Sequence, residues 1–63
     1  MTLKDAIFDL DSTDMELITV YKNDNVLFRG RIIDLKERND LLEETLSEEI
    51  YFVIKKGYIA HLK

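Results

Sequence analysis

Between residues 2 and 10 the apolar positions are Leu3, Ala6, Ile7 and Leu10, spaced i, i+3, i+4, i+7. That spacing makes one stripe on a helix and predicts a short amphipathic helix with Thr2 as its cap. Asp11-Ser12-Thr13-Asp14 follows, and such side chains bond their own backbone and end a helix. Two turns cannot stand alone in water, so this helix must dock on something. Residues 16–22 are β-branched and aromatic, which predicts a strand. Asn23-Asp24-Asn25 tolerates the positive φ of a tight turn, and residues 26–35 read as the returning strand of a β-hairpin.

Gly30 interrupts that second strand. A bulge there would shift the alternation and let Phe28, Ile33 and Leu35 share a face. A close approach by a ligand or a partner backbone is the alternative reading. Residues 36–49 are polar and acidic, with Asn39 as a candidate cap and Leu41, Leu42 and Leu46 as the apolar side of a second short helix. Residues 50–54 predict a third strand, Lys55-Lys56-Gly57 a turn, and residues 58–62 the last strand. The expected order is α-β-β-α-β-β. This is an α+β fold, with a four-stranded antiparallel sheet made from two β-hairpins and two short helices. Ile18, Phe28, Phe52 and Ile54 are its expected core residues.

No repeat or linker divides the 63 residues, so residues 1–63 read as one domain. A chain of this length buries only about 60% of its unfolded surface. It has no cysteine and one histidine, His61, which removes disulfides and thiolate metal sites; no cofactor and no metal are expected. Packing or self-association must supply stability instead, and the expected form is a dimer. At 46% hydrophobic and 35% charged the composition is that of a folded chain. No apolar run approaches the roughly 20 residues that span a bilayer, and Met1-Thr2-Leu3-Lys4-Asp5 lacks the basic start of a signal peptide. A cytoplasmic protein, bacterial or of an infected host cell, without membrane contact is expected.

The formal net charge is −4, which argues against direct nucleic-acid binding through phosphates. A protein partner is the expectation. Catalysis is not expected: Ser12, Ser47 and His61 belong to no recognisable motif, and so small a chain can hardly enclose a cleft. Two surfaces carry candidate chemistry. Glu37, Asp40, Glu43, Glu44, Glu48 and Glu49 lie on the second helical segment. Carboxylates spaced along a surface can imitate duplex phosphates, at about one charge per 1.7 Å, and so occupy a basic site on a protein partner. They are equally the composition of a solvated helix face. Arg29 and Arg31 alternate on one strand, and Tyr21 or Thr19 on the first strand and Tyr51 or Val53 on the third could lie beside them. Guanidinium forks beside tyrosines suit a phosphorylated or nucleotide-like ligand, or else form an ordinary solvent face.

The run Leu27-Phe28-Arg29-Gly30-Arg31-Ile32-Ile33-Asp34-Leu35, set between a first strand and an acidic helix, resembles short acidic proteins encoded by phages and integrated elements of Gram-positive bacteria. The resemblance brings no catalytic motif. It implies a mobile-element accessory protein, a class in which many members bind and block a host protein. An inhibitor of a host defence or nucleic-acid-handling protein is therefore the leading functional expectation. A ligand-sequestering oligomer is the second, and an accessory structural protein the third.

Overall fold

The computed structural model describes residues 1–10 and 14–63. Helix α1 spans Leu3–Asp9, with the Thr2 hydroxyl accepting from the Asp5 N–H at 3.2 Å. The predicted stripe is the one it buries: Leu3, Ala6 and Ile7 are core, and Leu10 packs against it. Asp11, Ser12 and Thr13, expected to stop the helix, lie outside the described residues.

Strands β1 (Leu17–Lys22) and β2 (Asn25–Arg31) form the expected hairpin. Asn23 and Asp24 both have positive φ, 53° and 64°, the backbone of a two-residue turn matched to strand twist. The bulge is elsewhere than predicted. The register slips between Val20, opposite Phe28, and Tyr21, opposite Val26, so Leu27 is the extra residue and Gly30 sits in regular pairing with Ile18. Gly30 instead makes room for an aromatic side chain, since a Cβ there would lie 3.2 Å from the Phe28 ring.

The second strand also ends earlier than residue 35. Ile32–Leu35 is a single helical turn, α2, anchored by the Ile32 N–H to Glu16 O and the Ile33 N–H to Asp14 O. Its i, i+3 pair Ile32 and Leu35 is buried, while Ile33 is 44% exposed, so Phe28, Ile33 and Leu35 do not share a face. Helix α3, Asn39–Leu42, buries Leu41 and Leu42. Asn39 is its first residue rather than its cap; Arg38 occupies the cap position and no side chain caps the end. The acidic segment therefore holds one turn of helix followed by two isolated bridges, Thr45 to Thr2 and Leu46 to Leu62.

Strands β3 (Tyr51–Val53) and β4 (Gly57–Leu62) pair antiparallel. The sheet order is β2-β1-β4-β3, and the central pair β1–β4 is parallel. Among the described residues the fold is thus α+β with a mixed four-stranded sheet and three helices, not a wholly antiparallel sheet of two hairpins with two helices. Parallel neighbours need a long crossover. Here β2, both short helical turns and β3 lie between the central strands in sequence. Gly57 permits the central strands to meet: its φ is +87°, and a Cβ there would lie 2.4 Å from the Leu17 carbonyl oxygen.

One sheet face is covered and carries the core. Ile18 and Val20 from β1 lie beside Tyr58 and Ala60 from β4, under Leu3, Ile7, Ile32, Leu35, Leu41, Leu42 and Leu46. Of the four expected core residues, Ile18 is fully buried and Phe28 is half-buried against the core. Phe52 and Ile54 are 54% and 79% exposed, contrary to expectation. Phe52 belongs to a three-residue edge strand, where it meets Tyr58 edge to face at 5.1 Å, and Ile54 has already entered the turn. Among the described residues no helix is long and apolar enough to cross a membrane.

Candidate functional site

Side-chain alternation sends Leu17, Thr19 and Tyr21 to the face of β1 opposite the core. Register then aligns their neighbours. Arg29 sits across from Thr19 and Arg31 across from Leu17 on β2, while Ile59 and His61 flank Thr19 and Tyr21 on β4. On β3, Tyr51 lies across from Ile59. Among the described residues no helix covers this face, yet Thr19 and Ile59 are only 6% exposed. The long side chains around them provide the cover.

Three rings form a row across the sheet. Tyr21 stacks on His61 with centroids 5.2 Å apart, and Tyr51 stacks on the same His61 at 5.8 Å. The Tyr51 hydroxyl and His61 Nε2 are 3.0 Å apart, within hydrogen-bond distance, which holds the imidazole against its neighbours. Beside this row is an open concavity of about 350 Å³, lined by Leu17, Thr19, Tyr21, Arg29, Lys55, Lys56 and Ile59. Its cations come from two places, β2 and the β3–β4 turn, and among the described residues no carboxylate lines it. Lys55 holds a φ of +74°, a backbone that glycine or asparagine adopts more cheaply. A positive field over a low apolar floor, with a planar ring beside it, is suited to a small anion carrying a flat group.

The sequence-derived ligand set is therefore brought together in part. Arg29 and Tyr21 line the same concavity, and Tyr51 joins through His61. Arg31 does not line it; its guanidinium donates to the Met15 carbonyl at 2.9 Å. Lys55 and Lys56 escaped sequence reasoning because a Lys-Lys-Gly run reads as a turn. Thr19, named with Tyr21 as a neighbour of the arginines, lies across from Arg29, whereas Ile59 escaped as a member of the floor, since nothing in the sequence shows that β1 and β4 are neighbours. His61 is a half-buried strand residue of β4.

The acidic set is distributed differently. Glu44 pairs with Lys22 at 2.8 Å, and Asp40 with Arg38 at 3.2 Å. The Arg38 side-chain hydrogen bonds hold the Asp40 carboxyl below the usual carboxylate range, and Asp40 correspondingly raises the guanidinium. Glu43 and Glu49 line two separate depressions, one with Lys4, Phe8 and Lys36, the other with Met1, Leu10 and Ile50. Glu37 and Glu48 are exposed. Ser47 directs its hydroxyl to the His61 backbone carbonyl at 3.1 Å, not to the imidazole. Ser12 lies outside the described residues. Among the described residues no group of three His, Cys, Asp or Glu side chains is placed to hold a metal ion.

The chain matches no protein-family model, no curated protein and no solved structure.

Proposed function

We propose that this chain is a small non-enzymatic binding protein whose open sheet face holds a phosphorylated, ring-bearing molecule of the nucleotide class. The observation that carries the reading is the joining of Arg29, Lys55 and Lys56 around one concavity beside the Tyr21–His61–Tyr51 row. Arg29 supplies a planar fork for phosphate oxygens, and the two lysines supply point charges. The aromatic row offers a face on which a base can stack, a contact worth about 1–3 kcal/mol where it has been measured by alanine substitution. A small anion fits this surface better than a polymer, because the whole chain carries a net charge of −4 and a long polyanion would meet its carboxylates.

Calorimetric titration with nucleoside monophosphates, alongside free nucleosides and inorganic phosphate, tests the reading. Nucleotides should bind more tightly than either fragment, and Arg29→Gln should remove most of the difference. Equal affinity for nucleoside and nucleotide would contradict it.

A second reading is favoured by the exposed carboxylates Glu37, Glu43 and Glu48, which form no ion pair among the described residues. In it the acidic side of the fold occupies a basic site on a host protein, as the resemblance to mobile-element proteins implies. Binding to such a partner should weaken steeply with salt and should survive Arg29→Gln. The cytoplasm of a bacterium, or of an infected host cell, is the compartment either reading proposes.

A further inference from the structure

The two edges of the sheet are unlike. Edge strand β2 is protected: Leu27 bulges out of register, and Arg29 and Arg31 both stand on the strand. A two-fold pairing of β2 with itself centred on Arg29, Gly30 or Arg31 would set guanidinium against guanidinium, an arrangement that repels. Edge strand β3 has no such protection. Tyr51, Phe52 and the following Ile54 are exposed at 43%, 54% and 79%. No charged residue, proline or bulge lies within β3.

What flanks β3 says what pairs with it. The run Glu48-Glu49-Ile50-Tyr51-Phe52-Val53-Ile54-Lys55-Lys56 is a charge palindrome around Phe52. Against a second copy running the other way, Tyr51 meets Val53 and Phe52 meets itself within the strand, while Ile50 comes to the side of the partner's Ile54, and Glu48 and Glu49 to the side of the turn that carries its Lys55 and Lys56. Every position then lies beside one of opposite charge or one that is also apolar. A parallel pairing in register would set glutamate on glutamate and lysine on lysine. All four charged residues are exposed, and none makes an ion pair among the described residues.

We infer that β3 is the docking edge for a second copy of this chain, paired antiparallel about a two-fold axis at Phe52, so that two sheets join into one of eight strands. The ladder itself is short, because the chain turns at Ile54. The flanking charges therefore fix register while the exposed apolar side chains supply the buried area. Such an interface is isologous and closes on itself, leaving the bulged and arginine-bearing β2 strands as the outer edges. The inference does not presuppose a ligand, but Lys55 and Lys56 serve in both readings, so Lys55→Glu with Lys56→Glu bears on both and Glu48→Lys with Glu49→Lys tests the dimer separately.

Sedimentation equilibrium on the intact chain, from micromolar to millimolar concentration, tests it with two charge-reversed variants. The native chain should be a dimer that dissociates on dilution. Glu48→Lys with Glu49→Lys, and separately Lys55→Glu with Lys56→Glu, should each weaken the dimer by about tenfold or more. All four side chains are on the surface, so circular dichroism and melting should show both variants folded. An equimolar mixture of the two variants should recover the dimer, since opposite charges again meet across the axis. A native chain that is monomeric throughout the range would overturn the inference. So would a dimer indifferent to both reversals, or a mixture no more associated than its components.

Discussion

Gly57 is the position where the fold is most exposed to a single methyl group. It begins β4 at a φ of +87°, and a Cβ built on it would lie 2.4 Å from the Leu17 carbonyl oxygen and 3.0 Å from the Leu17 Cβ. Two costs add on Gly57→Ala. Holding alanine at positive φ costs about 1–3 kcal/mol. Forcing apart two central strands, where the obstacle is backbone and not the end of a flexible side chain, costs about 1–3 kcal/mol more. A 63-residue domain has a total stability of about 3–9 kcal/mol, so the substitution removes a large part of it. Chemical denaturation and thermal melting should show a loss of about 2–6 kcal/mol and a melting temperature lower by at least about 8 °C. Gly30→Ala is the internal control. Its backbone is outside the left-handed region, and the new Cβ meets only the Phe28 ring at 3.2 and 3.4 Å, which can shift. Its cost should stay within about 1 kcal/mol, since strand propensity gained offsets part of the crowding. If Gly57→Ala melts as high as Gly30→Ala, the close parallel approach of β1 and β4 is wrong.

Other outcomes follow from particular residues. Ile32→Ala should cost about 2–5 kcal/mol, because Ile32 is 2% exposed, whereas Ile33→Ala should cost less than about 1 kcal/mol; equal losses in urea melts would place α2 in the wrong phase. Lys55→Gly should raise stability by up to about 1 kcal/mol by relieving a positive φ, while weakening nucleotide binding, and a variant that loses both would show that Lys55 is merely structural. Asp40 should titrate below ordinary carboxylates in a carbon-detected NMR experiment, and Arg38→Ala should move it back up. Because its folded value is lowered, the stability it contributes is present above the unfolded carboxylate value and is lost as pH falls through the folded one. An Asp40 titration unchanged by Arg38→Ala would disprove the pairing.

Local structure was legible in the sequence wherever the period was long enough to read. The i, i+3, i+4, i+7 stripe of α1 and the Asn23-Asp24 turn are carried by neighbouring residues, and both stand in the structure as expected. Residues 32–35 were not legible. Ile32-Ile33-Asp34-Leu35 is too short to separate a strand from one helical turn, and the decision falls to backbone bonds back to Glu16 and Asp14. The parallel pairing of β1 with β4 was hidden as well. Pattern shows where strands lie, while their neighbours are chosen by the packing of the whole chain. That choice also decided the fate of Phe52, an apolar strand residue left on an edge beyond the helices. For the site, alternation sufficed to put Arg29 and Arg31 on one face, and the tyrosines were seen as their company. Only the strand order could bring Lys55, Lys56 and His61 to the same surface.

On the proposed reading the open sheet face, and not the helical side, receives a nucleotide-like anion. Titrating isotopically labelled protein with a nucleoside monophosphate, followed by amide and side-chain NMR, tests it residue by residue. Saturable shifts are expected at Thr19, Tyr21, Arg29, Lys55, Ile59 and His61, and should be lost in Arg29→Gln. Shifts confined to α1, α3 and the acidic segment, or none at millimolar nucleotide, would contradict it.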